Sequence, residues 1–202
     1  ERRDTVDALL RQVNLWDVRK KAIAGFSGGM RQRFGIAQAL IGSPTLIIVD
    51  EPTAGLDPEE RNRFNNLLSE IGENVVVILS THIVDDVTDL CPRMAILVGG
   101  RIVATGTPSE LIAALQGRIW QAAIDKHELA AARARQAVIA TRLRGGRTVI
   151  RVLADASPGV GFAPAEAGLE DVYFATLHAH RQATAAPQKK AVKKQAPTRS
   201  EA

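Results

Sequence analysis

Four short stretches of this chain carry residue types able to hold an anion, a cation or a proton. In Phe26-Ser27-Gly28-Gly29-Met30, paired glycines let an anion approach the backbone, and a helix starting at Ser27 adds free amides and its dipole. The same pentapeptide also reads as an ordinary N-cap preceded by a loop. Asp50-Glu51 follows directly on Leu46-Ile47-Ile48-Val49. If that run is a strand, both acids point at the crevice outside its carboxyl end, where ligands of open α/β sheets bind. There Asp50 can hold a magnesium ion through its waters while Glu51 polarises a nucleophilic water; alternatively the pair is a solvated turn helped by Pro52. Asp57, in Ala54-Gly55-Leu56-Asp57, caps the helix opened by Pro58, a role that leaves room for a second one across a dimer interface. His82, in Ser80-Thr81-His82, ends a second aliphatic run and falls on the same sheet edge as Asp50 and Glu51. A lone histidine at a strand end otherwise serves the structure.

The elements that must position these residues are legible from periodicity. Val6, Leu9, Leu10 and Val13 have helical spacing, and Met30, Phe34, Ala37, Leu40 and Ile41 form one apolar stripe starting from Ser27 and stopped by Gly42-Ser43-Pro44. Residues 46–49 and 75–80 read as buried strands, being short, aliphatic and bounded by turn residues. A helix over 58–71 has proline at its first position and acids in its first turn. Another over 83–90 is broken by Cys91-Pro92. A hairpin follows, 94–98 and 101–104 across Gly99-Gly100, and then a capping box, Thr107-Pro108-Ser109-Glu110. This alternation predicts an α/β sandwich with a mostly parallel sheet. After Gly117 the pattern changes to strands at 119–124, 138–143 and 148–153, a helix over 126–138, a Gly/Pro loop over 158–164 and a short helix over 168–180. The expected organisation is an α/β domain over 1–117, a small α+β appendage over 118–181 and a disordered basic tail over 182–202.

Charge distribution argues against one class of function. The formal net charge is +4, but the residues from Arg181 onward hold six basic groups and one acid, so the rest of the chain is slightly acidic. A basic groove for nucleic acid is therefore not indicated, and no specific nucleic-acid partner is expected. One cysteine, Cys91, rules out a disulfide scaffold and fits a reducing compartment. The longest apolar runs are far too short to span a bilayer.

Taken in order, Ser27-Gly28-Gly29-Met30-Arg31-Gln32-Arg33, Leu46 to Thr53, Gly55-Leu56-Asp57-Pro58 and Ser80-Thr81-His82 closely resemble the nucleotide-binding subunit of ABC transporters. The hairpin running into Gly106-Thr107-Pro108-Ser109-Glu110-Leu111 is similar to the close of that family's catalytic domain. The resemblance extends from Asp4 to about Leu115. It implies a P-loop NTPase-type α/β fold, ATP and Mg2+ as cofactors, and a dimer that sandwiches nucleotide. By the same resemblance Ser27, Gly28 and Gly29 bind the γ-phosphate of ATP held by the partner subunit, and Asp50 is the Walker B magnesium residue. Glu51 is then the catalytic base, Asp57 belongs to the loop joining the two sites, and His82 is the switch histidine. A membrane permease and a second ATP-binding subunit are the implied partners, at the cytoplasmic face of the membrane.

The departures are specific. Phe26 stands where leucine is commoner and keeps the position apolar. Met30 stands where glutamine is usual, as it often does in members resembling ABC-2-type exporters. None of the seven lysines follows a glycine, so the Gly-Lys-Ser/Thr of a P-loop is missing. The expectation is the C-terminal portion of an ATPase subunit lacking its Walker A region. The alternatives are a non-catalytic partner that lends its signature motif to an intact ATPase, and a soluble ABC-type ATPase acting on nucleic acid or ribosomes.

Overall fold

The computed structural model describes the backbone of residues 2–193 and side chains as far as residue 184. Two compact units meet in sequence at Leu90 and Cys91.

The first unit opens with α1 (Arg2–Gln12), followed by α2 (Gly28–Ala39), β1 (Leu46–Asp50), α3 (Pro58–Gly72), β2 (Val76–Ser80) and α4 (Val84–Leu90). Strands β1 and β2 pair in parallel, with Asp50 opposite Ser80 at their carboxyl ends. Parallel neighbours need a crossover, and α3 provides it. Its inward face supplies Phe64, Leu67, Leu68 and Ile71, which pack with Ile36 and Ala37 of α2 and Ile47 of β1 into one aliphatic core. The loop between α1 and α2 closes this core with Val13, Leu15 and Phe26. Arg33 anchors the same loop from α2, its guanidinium pointing at the carbonyls of Asn14 and Val13. Burial pushes the Arg33 guanidinium below its ordinary value, and the charge of Glu60 opposes that shift.

The expectation of buried strands holds on one face only. Ile47 is buried and Val49 and Val77 pack against the core, whereas Leu46, Ile48, Val76 and Ile78 are exposed. Side chains alternate along a strand, so these four share the second face of the pair and leave about half or more of their surface exposed.

The second unit holds the antiparallel hairpin β3 (Met94–Val98) and β4 (Arg101–Gly106), then α5 (Pro108–Ala113), with Thr107 and Glu110 forming the expected capping box. Gly99 and Gly100 both have positive φ, as a two-residue primed turn requires. A four-stranded antiparallel sheet follows, in the order β6 (Val138–Arg144), β7 (Arg147–Leu153), β5 (Ile119–Ile124) and β8 (Ala163–Pro164). Helix α6 (Leu129–Arg135) precedes β6, and α7 (Leu169–Lys193) ends the described chain. Ala122, Ile150 and Val152 form the core of this sheet. Asp171 pins the start of α7 to it, receiving Arg151 Nε at 2.6 Å and Nη2 at 2.7 Å and the Gly168 amide at 2.9 Å.

Three expectations change here. The hairpin and α5 belong to the second unit rather than to a 1–117 domain, because α7 packs against β3, β4 and α5. The loop over 158–164 contributes an edge strand, with Ala163 and Pro164 opposite Gln121 and Trp120; proline is tolerated at an edge. Helix α7 extends to Lys193, across the first part of the stretch expected to be disordered. Alanine, glutamine and lysine are strong helix formers, and low apolar content removes packing without removing that propensity. Residues 194–202 of the expected tail lie outside the described residues. No helix among the described residues is long and apolar enough to cross a membrane.

Candidate functional site

The carboxyl ends of β1 and β2 bring the central residues together. Register places Asp50 beside Ser80, and the Ser80 hydroxyl donates to Asp50 Oδ1. That bond orients the carboxylate and leaves Oδ2 for a cation. The chain then turns sharply, with Glu51 at φ +46°. A non-glycine residue in the left-handed region carries strain, and such strain collects where a side chain must be aimed. The Glu51 amide donates to the Ser80 carbonyl at 2.8 Å, tying the turn across to β2.

Glu51 and His82 meet at two points. Glu51 Oε1 accepts the His82 amide at 3.1 Å, and Oε2 lies 2.7 Å from His82 Nδ1. The His82 amide bond holds this segment against Glu51 with Oε2 shielded from solvent beside the ring, while the imidazole itself is three-quarters exposed. Each carboxylate oxygen has two lone pairs, so Glu51 can hold His82 and still accept a proton from a water. His82 is thus part of a carboxylate–imidazole pair with Glu51.

The second group lies at the start of α2. Ser27 is the N-cap, accepting the Met30 amide at 3.2 Å. Its hydroxyl proton goes to Glu60 Oε1 at 2.9 Å. A Cβ on Gly29 would lie 2.7 Å from Glu60 Cδ, so any larger residue there would push that carboxylate, a flexible side-chain end, aside. Asp57 is the N-cap of α3 and accepts the Glu60 amide at 2.8 Å, with Pro58 in the first turn. Gly28 is open, with nothing near where a Cβ would sit. Among the described residues no hydrogen bond or ion pair joins this group to Asp50, Glu51 and His82.

Sequence reasoning missed the scaffold behind both groups. Asp86 of α4 is fully buried and accepts three side chains: Thr53 Oγ1 at 2.5 Å, Arg61 Nε at 2.7 Å and Asn65 Nδ2 at 3.3 Å. Thr53 sits in the turn after Glu51, Arg61 and Asn65 on the helix capped by Asp57, and Asp86 four residues past His82. One buried carboxylate therefore ties together three segments that carry site residues. Its only sequence signal is an acid in the first turn of a short helix, which reads as an ordinary helix-dipole partner. Glu60 was equally inconspicuous for the same reason.

Residues 1–54 match the family model described as "ABC transporter". The uncharacterized ABC transporter ATP-binding protein YxlF of Bacillus subtilis is 28% identical over 200 residues, covering 87% of this chain and 64% of that protein. The linearmycin resistance ATP-binding protein LnrL of the same organism is 38% identical over 110 residues, 54% of this chain and 35% of that protein. Among solved structures, CbiO1 from Clostridium perfringens, described as part of the ABC transporter complex CbiONQ, is 33% identical with a TM-score of 0.52, covering 55% of this chain and 45% of that one. The chain spans less than two thirds of the length of these relatives. It has part of the α/β fold of ABC ATPase cassettes.

Proposed function

Because this chain is homologous to the ATP-binding subunits of ABC transporters, exporter ATPases of the ABC-2 type among them, we propose that it powers a transporter by hydrolysing ATP and driving a separate membrane permease. The observation that carries the reading is the two-point clamp of Glu51 on His82, one residue past Asp50 at the end of β1.

Each residue has a role that its geometry fits. Asp50 is a hard oxygen donor already oriented by Ser80, and one such carboxylate, completed by waters and phosphate oxygens, suits Mg2+. When bound, the ion neutralises charge developing on the transferred phosphoryl group. Glu51 accepts the proton of the attacking water, a contribution of roughly 10²–10⁴ in rate for a well-placed base. His82, held by Glu51, presents its exposed edge to the γ-phosphate and senses its loss. Ser27, Gly28 and Gly29 offer a hydroxyl, open backbone and the N-terminus of α2 to ATP on a second subunit. Asp57, fixed as the cap of α3, belongs to the connection between the two sites.

The sequence contains no Gly-Lys-Ser/Thr, so the lysine that grips the phosphates must come from outside it. The exposed apolar face of β1 and β2 supports a Walker A segment packing there, since parallel sheets are ordinarily covered on both sides. The absent motif also favours a second reading, in which the chain lends its Ser27–Gly29 face to an intact ATPase and turns over nothing itself. Glu51→Gln, made in the complete subunit assembled with its permease, tests the first reading. Hydrolysis should be lost while ATP binding persists. Unchanged turnover would show that Glu51 is not the base.

A further inference from the structure

Ser27 has one hydroxyl proton, and here it is already committed. The oxygen accepts the Met30 amide and the proton is given to Glu60 Oε1 at 2.9 Å, so none remains for a phosphate oxygen. The space beside Gly29 is committed as well. A Cβ there would come within 2.8 Å of either Glu60 oxygen, so the hollow left by glycine at this helix N-terminus is filled by a carboxylate. Helix N-termini attract anions. A γ-phosphate and Glu60 would therefore compete for one place, and their like charges would repel.

Glu60 also has somewhere else to go. It is the third residue of α3, after the N-cap Asp57, which accepts its amide at 2.8 Å. A glutamate in that position commonly returns to the N-cap amide and completes a capping box, as Glu110 does with Thr107 in the second unit. On α3 the reciprocal bond is missing because the carboxylate is turned to Ser27 instead.

We propose that Glu60 is a positioning residue with two stations: bonded to Ser27 it holds the phosphate site closed, and turned back to the Asp57 amide it opens it. This rests on the assignment of Ser27–Gly29 as the γ-phosphate site of a second subunit. The device makes ATP entry depend on the segment containing Asp57, so the two halves of the proposed dimer sense one another through a single side chain. It discriminates by the γ-phosphate, since only that group displaces the carboxylate.

The test uses the complete subunit in its transporter, with ATP and ADP as probes. Glu60→Ala should lower the KM for ATP roughly tenfold, the effect of releasing one charge-assisted hydrogen bond at the exposed Ser27 hydroxyl. The inhibition constant of ADP should stay the same. Glu60→Gln, which keeps the shape and removes the charge, should move KM in the same direction and carries the test should the alanine variant fail to fold. An unchanged or raised KM for ATP, or an ADP constant shifted by the same factor, overturns the proposal. Ser27→Ala separates this from the reading beneath it. If Ser27→Ala raises KM while the Glu60 variants leave it unmoved, only the role of Glu60 falls. If Ser27→Ala leaves KM unchanged, Ser27 does not touch phosphate, and both fall.

Discussion

Asp86→Ala is the perturbation whose cost the structure defines best. Asp86 is fully buried, and its two oxygens accept Thr53, Arg61 and Asn65. Alanine would leave the Thr53 hydroxyl and the Asn65 amide without this acceptor in buried surroundings, and would strip Arg61 of its counter-charge. Removing one partner of a buried ion pair typically costs about 3–5 kcal/mol. The Arg61 side chain is 27% exposed and recovers some solvation, which places the expectation at the lower end, about 3 kcal/mol. Asp86→Asn keeps shape and one acceptor oxygen, and the Thr53 hydroxyl can turn to accept from the new amide. Only the charge is lost, so about 1–2 kcal/mol is expected. Urea unfolding of the two variants beside the wild type measures both. Because Asp86 also braces the turns after Glu51 and His82, the alanine variant should reduce hydrolysis in the assembled transporter before it unfolds. An alanine penalty below about 1 kcal/mol, or an asparagine penalty equal to it, would refute the claim that this carboxylate is a charged structural hub.

Two further outcomes are expected. Gly29→Ala should shift stability by less than about 1 kcal/mol, because the Glu60 carboxylate it strikes is a flexible end and alanine favours a helix; ATP-driven turnover should nevertheless fall at least about tenfold as the methyl fills the phosphate hollow. Thermal melts and ATPase assays on one preparation distinguish the two effects. In the second unit, the Thr107 backbone amide, aided by the Thr107 hydroxyl and Arg93, holds the Glu110 carboxyl below its ordinary range against a smaller opposing effect of burial. A depressed folded pKa means the cap of α5 is at full strength above the ordinary carboxylate value and weakens as pH falls through the depressed one. An NMR titration of the Glu110 carboxyl and the Thr107 amide should show that midpoint below the carboxylate norm, and an unshifted midpoint would contradict the capping box.

Some of this protein was decided by local chemistry, and the sequence displays it. Proline after Asp57, serine before two glycines, and Thr107 three residues before Glu110 set helix starts through bonds that span three residues, and each formed where its spacing indicated. The strand registers that bring Asp50 beside Ser80 and His82 near Glu51 follow from two aliphatic runs ending at the same sheet edge. The ordered motifs carried the family resemblance for the same reason, since their spacing is fixed along the chain. What tertiary structure alone decided involves partners far apart in sequence. Asp86 and Glu60 look like ordinary first-turn acids, and only folding brings Asp86 to Thr53, 33 residues away, and Glu60 to Ser27, also 33 residues away. The grouping of the hairpin with α7 rather than with the first unit, and the exposure of one face of β1 and β2, are likewise settled by what packs on a surface. A periodicity of two specifies that a strand has two faces; the identity of the layer that covers each is a property of the fold.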